Sequence, residues 1–277
     1  MEIVGVRAWL AILAVLAGIG FSSAAASDTA LLSDQRWEQA RKDLAKGKAA
    51  EAKAEFESLL NRYPNEADLQ LFLGMALLRL RDPRAAEAAV RKAIALNPQH
   101  VDARTFLAWI ELEVRGDVDA AISEYQKIIE LHPELPDAYS NLAVAQKRKG
   151  ELDRAVANLN RALERKPNFA SALTTRGGIL AEQDKWAEAR RDFEAALKLD
   201  PRDDGALYGL AQARRESRDY AGAQSALSEL ISRSPNFVYW LEWGRIGLIR
   251  YWWALLSAAI ALALRGRFKK ARLEPNG

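Results

Sequence analysis

The chain has 277 residues and no cysteine, which excludes disulfides, thiolate metal sites, thiol nucleophiles and a lipoprotein anchor together. Lysine and arginine exceed aspartate and glutamate by only 40 − 37 = 3, and acids alternate with bases through the middle, so no stretch resembles a nucleic-acid groove. With only 16 glycines and 9 prolines, and abundant alanine, leucine, arginine and glutamate, helices are favoured over strands.

Residues 1–26 combine a short start containing Arg7, an uncharged apolar run over residues 8–21, and small residues Ala24 and Ala26 before Ser27. That order is expected of a secretory signal peptide or, since Glu2 weakens the positive start, of an uncleaved N-terminal anchor. Either one exports the remainder of the chain.

From Ser33 the punctuation is regular. Pro64, Pro98, Pro133, Pro167, Pro201 and Pro235 are spaced by 34, 35, 34, 34 and 34 residues. The clearest unit, residues 136–167, reads PDAYSNLAVAQKRKGELDRAVANLNRALERKP: two runs at helical spacing separated by Gly150-Glu151. Two amphipathic helices bury too little apolar surface to offset their own chain entropy, so such a hairpin persists only when stacked on neighbours. Ahead of each proline recurs an alanine, Ala52, Ala86, Ala121, Ala155, Ala189 and Ala223, where the two helices are expected to cross closely. Near the middle of each first helix sits a second small residue, Ala40, Gly74, Ala108, Ala143, Gly177 and Ala211, preceded in four cases by Leu73, Leu107, Leu142 or Leu210. Eight residues before the prolines, Phe56, Val90, Tyr125, Leu159, Phe193 and Leu227 are expected to fill the seam with the next hairpin.

With this leucine-glycine/alanine, alanine, aromatic and proline spacing, residues 33–235 resemble the tetratricopeptide repeat family, whose unit is 34 residues long. The resemblance implies an all-α right-handed solenoid of six helical hairpins within a repeat domain over residues 27–235. Three departures stand out. Gln39 replaces the usual leucine of the first repeat, with Trp37 displaced by one. The third repeat carries one extra residue before Gly116, expected as a bulge at the end of its first helix. Arg176 occupies a leucine-type site and leaves the local packing of the fifth repeat open.

After Pro235 the composition changes to NFVYWLEWGRIGLIRYWWALLSAAIALALRGRFKKAR. Residues 236–245 form an aromatic-rich interfacial segment. Residues 246–264 carry one charge, Arg250, and reach about 28 Å as a helix, close to a bilayer's hydrocarbon thickness. A helix capping the last repeat is the alternative, but a cap needs one apolar face and residues 251–264 are uncharged all round. The basic tail, residues 265–277, holds Arg265, Arg267, Lys269, Lys270 and Arg272, and predicts a cytoplasmic C-terminus with the repeats on the periplasmic side of a bacterial-type inner membrane.

Chemistry finds little support. His100 and His132 lie at inter-repeat corners, as solvated loop residues would, and Asp34, Asp68, Asp102 and Asp137 at first-helix starts read as dipole compensation rather than metal ligands. No phosphate loop, catalytic triad order or metal spacing is present, so no enzyme activity, cofactor, metal, nucleic acid or small-molecule substrate is expected. In the resembled family the first helices line the concave surface, which places Trp37, Leu71, Met75, Leu78, Trp109, Leu112 and Val144 in an apolar groove. Farther along, Lys147, Arg148, Glu182, Gln212, Arg215 and Glu216 surround Tyr208 in a mixed polar face. A carboxylate-clamp pattern is not evident: Asn141 is present, but Glu38, Phe72 and Gly209 occupy related sites. The sequence thus points to a scaffold binding a protein partner, as a helix or extended peptide, in a membrane-associated complex. The alternative is an accessory subunit of an envelope enzyme or of a polysaccharide secretion machine.

Overall fold

The computed structural model describes Leu31 and residues 34–273; the N-terminal segment read as signal or anchor lies outside the described residues. Among the described residues every regular element is helical. Six hairpins follow one another: α1 (Gln35–Ala45) with α2 (Ala49–Arg62), α3 (Ala67–Arg79) with α4 (Pro83–Leu96), α5 (Val101–Trp109) with α6 (Val118–Leu131), α7 (Pro136–Lys149) with α8 (Leu152–Arg165), α9 (Ala170–Glu182) with α10 (Trp186–Leu199), and α11 (Asp204–Glu216) with α12 (Tyr220–Arg233). A long last helix, α13, runs Phe237–Leu273. The chain divides into two compact units, Met1–Arg165 with four hairpins and Lys166–Gly277 with two hairpins and α13.

Each hairpin closes on its small residues. All six alanines ahead of the prolines are buried, and so are all six seam residues from Phe56 to Leu227. The tightest case lies in the second unit, where Phe193 of α10 is held between two glycines. A Cβ built on Gly177 would stand 2.8 Å from Phe193 Cε1, and one on Gly209 only 2.3 Å from Phe193 Cζ. The ring fills the space that the missing side chains leave on its own first helix and on the next hairpin's.

The hairpin turns share one backbone device. A residue in the turn that follows the first helix takes a left-handed conformation in every repeat: Gly47, Gly116 and Gly150 at φ 84°, 71° and 84°, and Arg81, Asp184 and Arg218 at 63°, 58° and 62°. Five turns then close with an N–H donating five residues back, Lys48 to Asp43, Asp82 to Leu77, Glu151 to Gln146, Lys185 to Leu180 and Asp219 to Arg214. This capping bond satisfies an orphan carbonyl at the helix end. In the third repeat the bond runs six residues, from Asp117 N to Glu111 O at 2.8 Å. The extra residue of that repeat is absorbed there, because residues Ile110–Arg115 wind as a π-helix.

Arg176 finds its own solution to the leucine-type site. Its Nε and Nη2 donate to Asp192 Oδ2 and Oδ1, both at 2.7 Å, making a two-pronged pair across the α9–α10 hairpin. That pairing raises the guanidinium's pKa against the opposing effect of burial. The second-helix position of Asp192 is also polar in two other hairpins: Glu124 Oε2 accepts from Arg104 Nη1 at 2.8 Å, and Asn158 Nδ2 donates to Gln146 Oε1 at 2.7 Å.

The clamp on Phe193 generates a test. Alanine is intrinsically better than glycine in a helix by about 1 kcal/mol, while overpacking costs about 1–3 kcal/mol, and a ring pinned on both sides cannot step aside. Gly209→Ala should therefore fall in the upper part of that cost, about 2–3 kcal/mol, and lower stability by about 1–2 kcal/mol net, with part of the loss recovered by adding Phe193→Leu. A melting midpoint unchanged or raised by the single substitution would contradict the clamp.

Candidate functional site

The first-helix face of the first unit is less open than the sequence suggests. Trp37, Leu71, Met75 and Leu112 are buried, which corrects their placement as exposed groove residues. Trp37, Leu71 and Met75 belong to one core cluster. The Trp37 indole meets Phe72 and Phe56 edge-on, with ring centroids 5.0 and 5.8 Å apart, and Arg41 lies 5.5 Å from its face. Consecutive first helices pack closely enough that large apolar side chains on this face touch each other before they can reach solvent. Leu78 and Trp109 are half-buried, Trp109 stacked parallel on Phe106 at 6.0 Å, and only Val144 of the seven is exposed.

Arginines seal the same face. Arg79 Nη1 donates to the carbonyl of Leu44 at the end of the preceding first helix, and one hairpin pair later Arg148 Nη1 donates to Leu112 O at 3.1 Å. Arg148 also pairs with Glu113 at 2.6 Å. These carbonyls lie in the last turns of their helices, so a guanidinium there meets the negative end of the helix dipole and joins neighbouring hairpins. Burial lowers the pKa of Arg79.

The π-turn carries the most enclosed charge in the first unit. Glu111 is buried, with Arg91 Nη2 at 2.7 Å and Arg115 Nε at 3.2 Å, and both arginines also hold Glu87 at 2.8 Å. Burial pushes the Glu111 carboxyl up against the pull of its arginines. His100 is not simply a solvated corner residue: its Nε2 lies 3.0 Å from Asp68 Oδ1. Burial likewise raises Asp102 beside it, with His100 acting in the opposite direction. Among the described residues no three histidine, aspartate or glutamate side chains converge as a metal site.

In the second unit the polar face is taken by the chain itself. Tyr208 packs on Tyr239 of α13 with centroids 5.3 Å apart, and Arg215 Nη1 donates to Glu242 Oε2 at 2.9 Å. Trp243 Nε1 donates to Ser228 Oγ at 2.9 Å, and Ile246 is buried among Leu207, Leu227 and Leu230. The beginning of α13 is therefore a cap on the last hairpin. Its signal was the spacing Tyr239, Glu242, Ile246, three and four residues apart, overshadowed by the tryptophans around it. Beyond Ile246 the helix is exposed and bends by 44° between Phe237–Ala254 and Leu256–Arg265. Among the described residues no single helix is long and apolar enough to cross a membrane, whereas this bent pair together has the length and composition.

Consecutive helical hairpins packed in series define a helical repeat array. Two family models, both described as tetratricopeptide repeat, match residues 37–82 and 73–138 and residues 115–176 and 180–241, and the chain belongs to that family. Proteins of this family are protein-interaction scaffolds, and the chain is similar to several. The cytochrome c-type biogenesis protein CycH of Rhizobium meliloti is 31% identical over 133 residues, which cover 46% of this chain and 34% of CycH. Curated relatives are matched over only 28% and 34% of their own lengths. Among solved structures, pilF of Pseudomonas aeruginosa matches 75% of this chain and 94% of its own with a TM-score of 0.66 at 17% identity. YrrB, described as a TPR protein with an unusual peptide-binding site, matches 69% of this chain and 97% of its own with a TM-score of 0.53 at 20% identity. At those identities the structural likeness concerns the fold alone.

The split between buried and exposed first-helix residues is measurable. Met75→Ala should cost about 2–5 kcal/mol, the usual result of emptying a core site, while Val144→Ala should stay within about 0.5 kcal/mol. Equal, small effects in chemical denaturation would return Met75 to the surface and reopen the groove.

Proposed function

We propose that this chain is a non-catalytic scaffold held at a bacterial-type inner membrane by α13, with its repeats on the exported side, where it helps assemble or stabilise a membrane-associated complex. The observation that carries this reading is the surface of α13 past Ile246. Leu248, Trp252 and Leu262 are 62%, 61% and 68% exposed, and Ile249, Trp253, Leu256 and Ile260 are exposed beside them. An apolar surface open all round the helix is costly in water and ordinary in lipid. Tyr251, Trp252 and Trp253 are suited to a membrane interface, and the basic run after Leu264 favours the cytoplasmic side.

The first-helix face supports a partner-binding role of reduced extent. Trp109, Leu78 and Val144 remain partly or wholly accessible, enough to seat one helix or extended peptide. The similarity to CycH, a cytochrome c-type biogenesis protein, supports a place in a biogenesis complex without carrying over a particular client.

Topology is the sharpest test of the membrane reading. A reporter enzyme active only after export should work when inserted after Asn236 and fail when fused after Gly277. Activity at both positions, or at neither, would contradict the proposed span.

A further inference from the structure

Helix α13 stays attached to the last hairpin as far as Arg250, whose Nη1 donates to Gln224 Oε1 at 3.2 Å. Between that contact and the basic run only residues 251–264 remain, which at helical rise reach about 21 Å. A hydrocarbon core is about 30 Å thick, and a span needs about 20 residues. Counting back from Leu264, the span has to begin near Arg245. That stretch is the one bound to α12 through Ile246 and through Gln224, whose Nε2 donates to Trp243 O at 3.3 Å. A bilayer that receives α13 must therefore reach up to the last hairpin.

The outward side of α13 just upstream has the matching chemistry. Phe237, Trp240 and Leu241 are 73%, 53% and 55% exposed, and Phe237 stands half a helical revolution from the buried Ile246. Glu242, the single acid in residues 237–264, is turned to Arg215 and Arg245. Arg245 is exposed, so the surface that continues into the span is aromatic and basic. Those are the residue types that settle among headgroups and their phosphates.

We propose that this outward side is a lipid-surface contact: Phe237, Trp240 and Leu241 lie in the headgroup layer of an anionic bilayer, Arg245 meets its phosphates, and the α11–α12 hairpin rests on the membrane instead of standing off on a tether. The inference rests on the reading of α13 as a membrane helix and adds the position of the repeats.

The chain's lack of cysteine makes the test direct. Full-length Leu241→Cys, Ser257→Cys and Lys198→Cys variants, each carrying an environment-sensitive fluorophore, would be reconstituted into phosphatidylglycerol and phosphatidylcholine vesicles with spin-labelled lipids. The label at Leu241 should be blue-shifted and quenched by shallow spin labels at least about twofold more than the label at Lys198, with Ser257 quenched by deeper ones. A water-like label at Leu241 beside a lipid-quenched Ser257 overturns the surface contact and leaves the span standing. Water-like labels at both positions overturn the contact together with the membrane reading. A Leu241 label shielded but not quenched means that protein covers this side, as a second copy would, and also overturns it.

Discussion

The close approach of paired helices at their small residues is the constraint on which the rest of the structure depends. Ala155 and its five equivalents are buried without remainder, and a larger side chain at any of them would separate the helices of that hairpin. Only at that spacing can Phe193 reach between Gly177 and Gly209, and only then do the seam residues fill the gap to the next hairpin. Each hairpin is stable through its neighbours, so a fault at one crossing weakens the adjoining ones as well.

Around this fixed crossing the fold tolerates varied chemistry. One position of the second helix carries Glu124, Asn158 or Asp192, paired with Arg104, Gln146 or Arg176 from different turns of the first helix. A buried hydrogen bond contributes about 1 kcal/mol net, but an unpartnered member costs more than the pair contributes. These positions can therefore change only in couples. The π-turn obeys the same logic, since buried Glu111 is held by Arg91 and Arg115, which Glu87 in turn joins.

The repeat architecture was legible in the sequence because steric rules recur at fixed spacing. Prolines, crossing alanines and seam residues each answer to one local requirement, and the extra residue before Gly116 could be placed at the end of a helix from spacing alone. The binding face was not legible in the same way. Whether Leu71 or Met75 faces solvent depends on how closely neighbouring first helices approach, a quantity set by side chains a whole repeat away. Arg176 looked like a disruption because its partner Asp192 lies on the other helix of the hairpin, where an isolated acid is unremarkable. Hydropathy marked α13 as a membrane segment and thereby hid its beginning, in which Tyr239, Glu242 and Ile246 belong to the repeats.

Helix α13 closes the last hairpin with its beginning and continues past Ile246 as an exposed apolar helix. A solenoid end without a cap exposes the apolar face that the next repeat would have covered. Amide hydrogen exchange on two shortened chains measures this most directly, one ending after Arg250 and the other after Asn236. The account predicts that α12 amides remain protected in the longer chain and open in the shorter one, with α9 and α10 less affected. Equal protection of α12 in both chains would show that α13 is no part of the solenoid, and would contradict the account.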